Sequence, residues 1–243
     1  GLDFPGLEEV NPKWPEPAES GFGDETILWV SITSPLKHGL TSRSGVRPVD
    51  ASLDIASTNQ LRWDGHQLIT GSTDGAGVVL VARSWGVFRR SKSPILILYG
   101  GGAAARSTAA AWAENGGRIV PVTREGRRPL DSRGPWRDAL IDEVPKGSLE
   151  STFQVDFDSP VESSIRSNAL NSDICLVASY GGGGSVEPIQ SASGALILDG
   201  RWMLVAQPLV AWAQFIAPEH RDLLPSLSLL LNRLSEVETG IES

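Results

Sequence analysis

Three patterns of apolar residues divide the chain. One is continuous: Ile95-Leu96-Ile97-Leu98 carries no polar position, as expected for a strand buried on both faces of a parallel sheet. Ala103–Asn115 follows, an Ala-rich stretch that predicts a helix ended by Gly116-Gly117. Arg118–Val122 is the next strand and completes a β-α-β unit. Asp173–Ala178 is a later apolar strand. Leu196–Leu198 then leads through Asp199-Gly200 into a helical segment over Trp202–Ile216. The second pattern mixes β-branched and apolar residues, as in Ile27–Thr33, a predicted strand that stops at a Ser-Pro turn. Asp50–Asp64 is mixed, Trp63-Asp64-Gly65-His66 reads as a hairpin turn, and Val78–Phe88 has a helical pattern. The third pattern is periodic. Leu223, Leu224, Leu227, Leu230, Leu231 and Leu234 line one side of a predicted amphipathic helix over Leu223–Val237.

These elements predict an α/β protein of two domains. Ser91-Lys92-Ser93-Pro94 is a polar break, so the main boundary is set there. Residues 1–90 are expected to form a substrate domain on a partly represented parallel sheet. Residues 91–200 are expected to form a Rossmann-like nucleotide domain. Residues 201–243 are expected to supply helices that pack back on the first domain.

Composition narrows the classes. With 243 residues the chain can bury a sizeable core, and its 40% apolar and 21% charged content is ordinary for a globular protein. A net charge of -8 argues against nucleic-acid binding. The longest apolar runs are too short to span a membrane. The single cysteine, Cys175, is expected in a buried strand; it allows no internal disulfide, and no metal site is expected. The absence of a signal peptide and of disulfides points to a cytoplasmic protein. His38, His66 and His220 are scattered and read as surface or turn residues. Trp202 and Trp212 are expected to pack a helix, and Trp14 and Trp136 to lie in Pro-rich loops. The first residue is Gly and the opening is rich in Pro, Gly and acids, so a fragment or a processed piece is expected.

The apolar strand runs directly into Gly100-Gly101-Gly102-Ala103-Ala104-Ala105-Arg106. The spacing Gly100-x-Gly102-x-x-Ala105 between a strand and a helix suits a dinucleotide. The glycines let the backbone approach the pyrophosphate, and the helix N-terminus offers N–H groups to it. Thr123-Arg124-Glu125-Gly126-Arg127-Arg128 follows the second strand. With no acid at the strand end, Arg124 is positioned for a 2′-phosphate, which favours NADP over NAD. Arg127 and Arg128 are read equally well as a solvated loop.

Upstream, Ser31-Ile32-Thr33-Ser34-Pro35-Leu36-Lys37 and Ser72-Thr73-Asp74-Gly75-Ala76-Gly77 set a lysine and an aspartate beside Pro and Gly turns. A polar-substrate site followed by a nucleotide site is the layout of a two-domain dehydrogenase. Together with Ala56-Ser57-Thr58-Asn59-Gln60-Leu61, the glycine loop, Thr123-Arg124-Glu125 and Asp199-Gly200-Arg201-Trp202-Met203-Leu204-Val205-Ala206-Gln207, these runs resemble the motifs of the shikimate dehydrogenase family, in the family's order.

The resemblance implies NADPH-dependent, reversible reduction of 3-dehydroshikimate to shikimate, a step toward chorismate and aromatic amino acids. It implies that Lys37 and Asp74 are the catalytic pair. It implies that Thr33, Asn59, Thr73 and Gln207 hold the substrate's hydroxyls, and that Gly100, Gly101, Gly102, Ala103, Ala104, Thr123, Arg124 and Arg128 hold the cofactor.

Departures keep alternatives open. The family's Ser-x-Ser segment, which grips the substrate carboxylate, has no counterpart before Lys37; Ser20 is not in that context. Ser31, Gln60 and Ser72 replace the family's Asn, Thr and Asn. The strand end that the family writes Asn-Ala-Thr/Ser is matched to Val177-Ala178-Ser179-Tyr180-Gly181, and a later tyrosine segment is shortened to Glu187–Ser193. An NAD-dependent quinate/shikimate dehydrogenase, a non-catalytic ligand-binding homologue, and a chain fused to or adjacent to another enzyme of the pathway are the alternatives.

Overall fold

The computed structural model describes residues 28–40, 45–63, 65–159, 172–179 and 186–241. In chain order the first unit contains β1 (Leu28–Ser31), β2 (Arg47–Pro48), β3 (Gln60–Trp63), β4 (Leu68–Gly71), α1 (Asp74–Ser84) and α2 (Val87–Arg90). Its sheet runs in the order β1-β3-β4-β2. The parallel sheet expected here is corrected: β1 with β3 and β3 with β4 are antiparallel, and only the two-residue β2 runs parallel, to β4. The reason is local. The link between β3 and β4 is the short turn around Gly65 (φ +95°), and such a link can only reverse the chain. Ile32, Leu40, Val46 and Leu61 form a small core of their own against this sheet.

The second unit is built on β5 (Ile95–Tyr99), α3 (Ala103–Glu114), β6 (Arg118–Val122), β7 (Thr152–Asp156), β8 (Ile174–Val177), β9 (Ile189–Gln190) and β10 (Leu196–Leu198). The strand order is β6-β5-β7-β8-β10-β9. All pairs are parallel except β9 with β10. The chain leaves β5 toward β6 on one side and takes up β7 on the other. The ends of these three strands therefore flank the crevice where a doubly wound sheet binds its ligand. Ile95, Leu96 and Leu98 are fully buried, as their uninterrupted apolar run requires.

Two further helices follow, α4 (Gly200–Ala211) and α5 (Leu227–Ile241). The Asp199 side chain caps α4 by accepting the Arg201 N–H. The helical path continues as a wider turn through Trp212–Ile216. The last helix begins at Leu227 rather than Leu223, because Pro225 interrupts the run and Pro218–Leu223 closes as a separate tighter helix. One core joins the units: Val78, Val81, Leu96, Leu98, Trp112, Phe153, Leu198, Met203 and Leu231 lie in a single buried cluster. Helix α1 sits at its centre, packed on both α3 and α4. Trp202 packs its ring on Trp85 at 5.6 Å, and Arg62 donates to the Phe215 carbonyl at 2.7 Å.

Trp212 differs from expectation and is 46% exposed. Trp136 lies in a loop as expected, and is 1% exposed, its ring in the core and its Nε1–H donated to the Asp131 carbonyl at 2.7 Å. Cys175 is fully buried in β8, and burial pushes its thiol up to about 12. Trp14, Ser20, Tyr180 and Gly181–Gly184 lie outside the described residues. Among the described residues no helix is long and apolar enough to cross a membrane, and no cluster of His, Cys, Asp and Glu could hold a metal.

Candidate active site

Lys37 lies on the single helical turn Leu36–His38, just after the cis Ser34-Pro35 bond. Asp74 is the first residue of α1, where the helix N-terminus favours a negative charge. Lys37 Nζ donates to Asp74 Oδ2 at 2.6 Å, with the aspartate side chain fully buried and the lysine side chain 14% exposed. Asp74 Oδ1 accepts from Asn59 Nδ2 at 2.8 Å and from Gln207 Nε2. A buried carboxylate is tolerated only when its lone pairs are used in this way.

The neighbouring groups are held just as tightly. Asn59 Oδ1 accepts the Thr73 N–H at 2.8 Å, and Gln60 Nε2 donates to Thr73 Oγ1 at 3.2 Å. The Lys37 carbonyl accepts the Thr58 N–H at 2.9 Å, which ties the lysine turn to the Asn59 segment. Lys37, Asp74, Asn59, Thr73 and Gln207 thus meet in one place, although Gln207 comes from α4. Thr33 is exposed and its carbonyl closes the turn to the Leu36 N–H at 2.9 Å. Asn59 and Gln207, assigned by resemblance to substrate hydroxyls, spend amide N–H groups on Asp74.

Helix α3 fixes this cluster from behind. Arg106 is buried and donates Nε to the Ile55 carbonyl at 2.6 Å, Nη1 to the Gly101 carbonyl at 3.0 Å and Nη2 to the Ala56 carbonyl at 2.7 Å. His38 Nδ1 lies 2.9 Å from Arg106 Nη2, so this exposed histidine also belongs to the junction. Burial lowers the Arg106 guanidinium from its usual range, and nearby Arg128 adds to the effect. Ser107 Oγ accepts from Ser72 Oγ at 2.8 Å and from the Gly75 N–H at 2.9 Å. Ser57 Oγ donates to the Ala103 carbonyl at 2.8 Å.

The glycine loop lies between β5 and α3. Gly100 has φ +114°, which only glycine adopts without strain. At Gly101 a Cβ would come 2.2 Å from the Pro129 carbonyl oxygen, so packing requires glycine there whatever its backbone N–H binds. At Gly102 a Cβ would meet nothing within 4 Å, and α3 starts there without a side-chain cap. Open space over an uncapped helix N-terminus fits a pyrophosphate, with Ala103 and Ala104 forming the first turn. Thr123 and Arg128 are exposed on the loop after β6, and Arg127 donates to the Asp158 carbonyl at 3.3 Å.

Arg124 is engaged. Its Nη1 and Nη2 donate to Asp156 Oδ1 and Oδ2 at 2.8 and 2.7 Å, and its Cζ lies 4.3 Å from the Tyr99 ring centroid. Hydrogen bonding to Asp156 raises the Arg124 guanidinium above its usual range. Burial works to raise the Asp156 carboxyl, but bonds from Arg124 and from the Asp158 and Ser159 N–H groups outweigh it and leave it lowered.

Sequence reasoning did not single out Asp156 or Ser107. Thr152–Asp156 is a short run with a central Gln, so it gave no uniform strand signal; Gln154 is nonetheless buried. The later strand expected over Asp173–Ala178 is β8, which ends at Val177. The strand beside β5 is β7, and Asp156 ends it.

No family model matches the chain. The shikimate dehydrogenase (NADP(+)) of Halobacterium salinarum is 24% identical over 215 residues, spanning 82% of this chain and 77% of that protein. The shikimate dehydrogenase structure of Mycobacterium tuberculosis aligns with a TM-score of 0.59 at 20% identity, covering 94% of this chain and 85% of the other. The shikimate 5-dehydrogenase of Thermus thermophilus, solved with NADP(H) and shikimate, gives 0.60 at 19% identity, covering 96% and 91%. The chain is similar to shikimate dehydrogenases in sequence and shares their two-domain, Rossmann-like fold.

Proposed function

We propose that this relative of the NADP-dependent shikimate dehydrogenases catalyses the reversible oxidation of shikimate to 3-dehydroshikimate with NADP. The observation that carries the reading is the buried Asp74 holding the Lys37 ammonium at 2.6 Å, beside the open glycine loop. NADP supplies the hydride acceptor in one direction and the donor in the other. In the reduction the Lys37 ammonium gives a proton to the oxygen as hydride arrives, and in the oxidation the neutral Lys37 amine takes the hydroxyl proton back. Its charge also offsets the negative charge that builds on that oxygen. Asp74 keeps the ammonium in place. Thr33, Asn59, Thr73 and Gln207 meet the other hydroxyls, with short polar groups that both donate and accept. Gly100, Gly101, Gly102, Ala103 and Ala104 receive the pyrophosphate, and Thr123, Arg124 and Arg128 face the adenosine end.

The same proposal divides the chain into a substrate domain (1–90), a nucleotide domain (91–200) and a returning helical segment (201–243). It places the reaction in the cytoplasm, and fusion to or adjacency with another enzyme of the pathway belongs to it as well. The test is an assay of nicotinamide reduction with shikimate and quinate, each with NADP and NAD. Turnover of shikimate with NADP supports the reading. Turnover confined to quinate with NAD, or binding of shikimate without turnover by either cofactor, refutes it.

A further inference from the structure

We propose that Asp156 governs cofactor selectivity by holding Arg124 in the crevice as an internal stand-in for a phosphate, so that NADP binds by exchanging partners on Arg124. The inference rests on the NADP reading above. Arg124 stands two residues beyond β6, and Asp156 ends β7; the two strands lie on opposite sides of β5. The guanidinium therefore reaches across the end of β5, over the Tyr99 ring, at the point where strand order reverses. A dinucleotide crosses the sheet at that point.

The two partners are unequal. Asp156 is fully buried, and its Oδ1 also accepts N–H groups from Asp158 at 2.9 Å and Ser159 at 3.0 Å, so the carboxylate is fixed. The Arg124 side chain is 36% exposed and is the member of the pair able to turn outward. A guanidinium fork meets a carboxylate and a phosphate with the same paired N–H groups. While Nη1 and Nη2 both serve Asp156, a 2′-phosphate cannot take that edge. A cofactor phosphate must displace the carboxylate, and the cost falls on NADP but not on a ligand lacking that group.

The test compares adenosine 2′,5′-bisphosphate with adenosine 5′-monophosphate by calorimetric titration, since the two differ only in the 2′-phosphate. Asp156→Asn keeps an acceptor for the Asp158 and Ser159 N–H groups but releases the charge-assisted fork. The bisphosphate is expected to bind this variant about tenfold tighter than wild type, with the monophosphate unchanged. In an Arg124→Gln background the same substitution is expected to change neither ligand. Asp156→Thr serves if the Asn variant does not fold. An unchanged or weakened preference for the bisphosphate in the Asp156 variants overturns the proposal. A gain that persists without Arg124 overturns it too, because Asp156 then acts by direct repulsion. If wild type binds neither ligand, the NADP reading fails and the exchange fails with it.

Discussion

Gly75 lies so close to Ser107 that a Cβ added to it would sit 2.0 Å from the Ser107 carbonyl oxygen. This contact joins α1, which begins with Asp74, to α3, which follows the nucleotide loop. Gly77 has a similar role further along the helix, where a Cβ would come 3.1 Å from the Gln207 backbone nitrogen on α4. In the Asp74-Gly75-Ala76-Gly77 run the aspartate holds the Lys37 ammonium, and the glycines let three helices meet behind it. Gly75→Ala is therefore expected to destabilise the fold by about 3 kcal/mol, since a backbone carbonyl cannot step aside. Chemical denaturation of the variant measures this.

Arg106 binds three carbonyls, two from the first unit and one from the glycine loop. Arg106→Ala strands these acceptors in a buried junction and is expected to cost roughly 2–4 kcal/mol. Because Ile55 and Ala56 precede the Asn59 segment directly, the surviving folded enzyme is expected to lose kcat more than NADP affinity. Steady-state kinetics on the variant, with a melting curve beside them, separates the two effects.

Most of the fold was legible where the pattern was strong. The uninterrupted Ile95–Leu98 run marked the central strand, and the glycines after it marked the loop and helix that follow. The hairpin at Gly65 was visible as turn chemistry, but the mostly antiparallel pairing around it was not drawn from that signal. Arg124 was rightly placed at the end of β6, yet its partner was invisible, because Asp156 becomes its neighbour only through the order of strands. Gln207 was found through a motif. That it donates to Asp74 follows from the packing of α4 on α1, which no local pattern encodes.

Asp156 also makes stability depend on pH. Its folded carboxyl is lowered relative to the unfolded chain, where an aspartate titrates near ~3.9. The stabilisation is therefore present above that range and lost as pH falls through it toward the folded value. Asp156→Asn lacks this contribution at every pH. The variant is expected to be less stable than wild type near neutrality, with the gap narrowing as pH falls through that range. Denaturant unfolding followed by circular dichroism at several pH values measures the gap.

Cys175 is expected to be inert. Fully buried, with its thiol pushed up to about 12, it carries almost no thiolate at neutral pH. A thiol-specific chromogenic reagent should leave it unmodified in the native protein and titrate it fully in denaturant.

The central claim is that Lys37, held by Asp74, exchanges the proton of the reacting hydroxyl, as the amine in oxidation and as the ammonium in reduction. Turnover of shikimate by Lys37→Ala is the direct test, with wild type in parallel and cofactor binding used to verify an intact nucleotide site. The account predicts NADP reduction by wild type and a fall in kcat of about 10²–10⁴-fold in the variant, with cofactor affinity retained. A folded variant that turns over at the wild-type rate would contradict it.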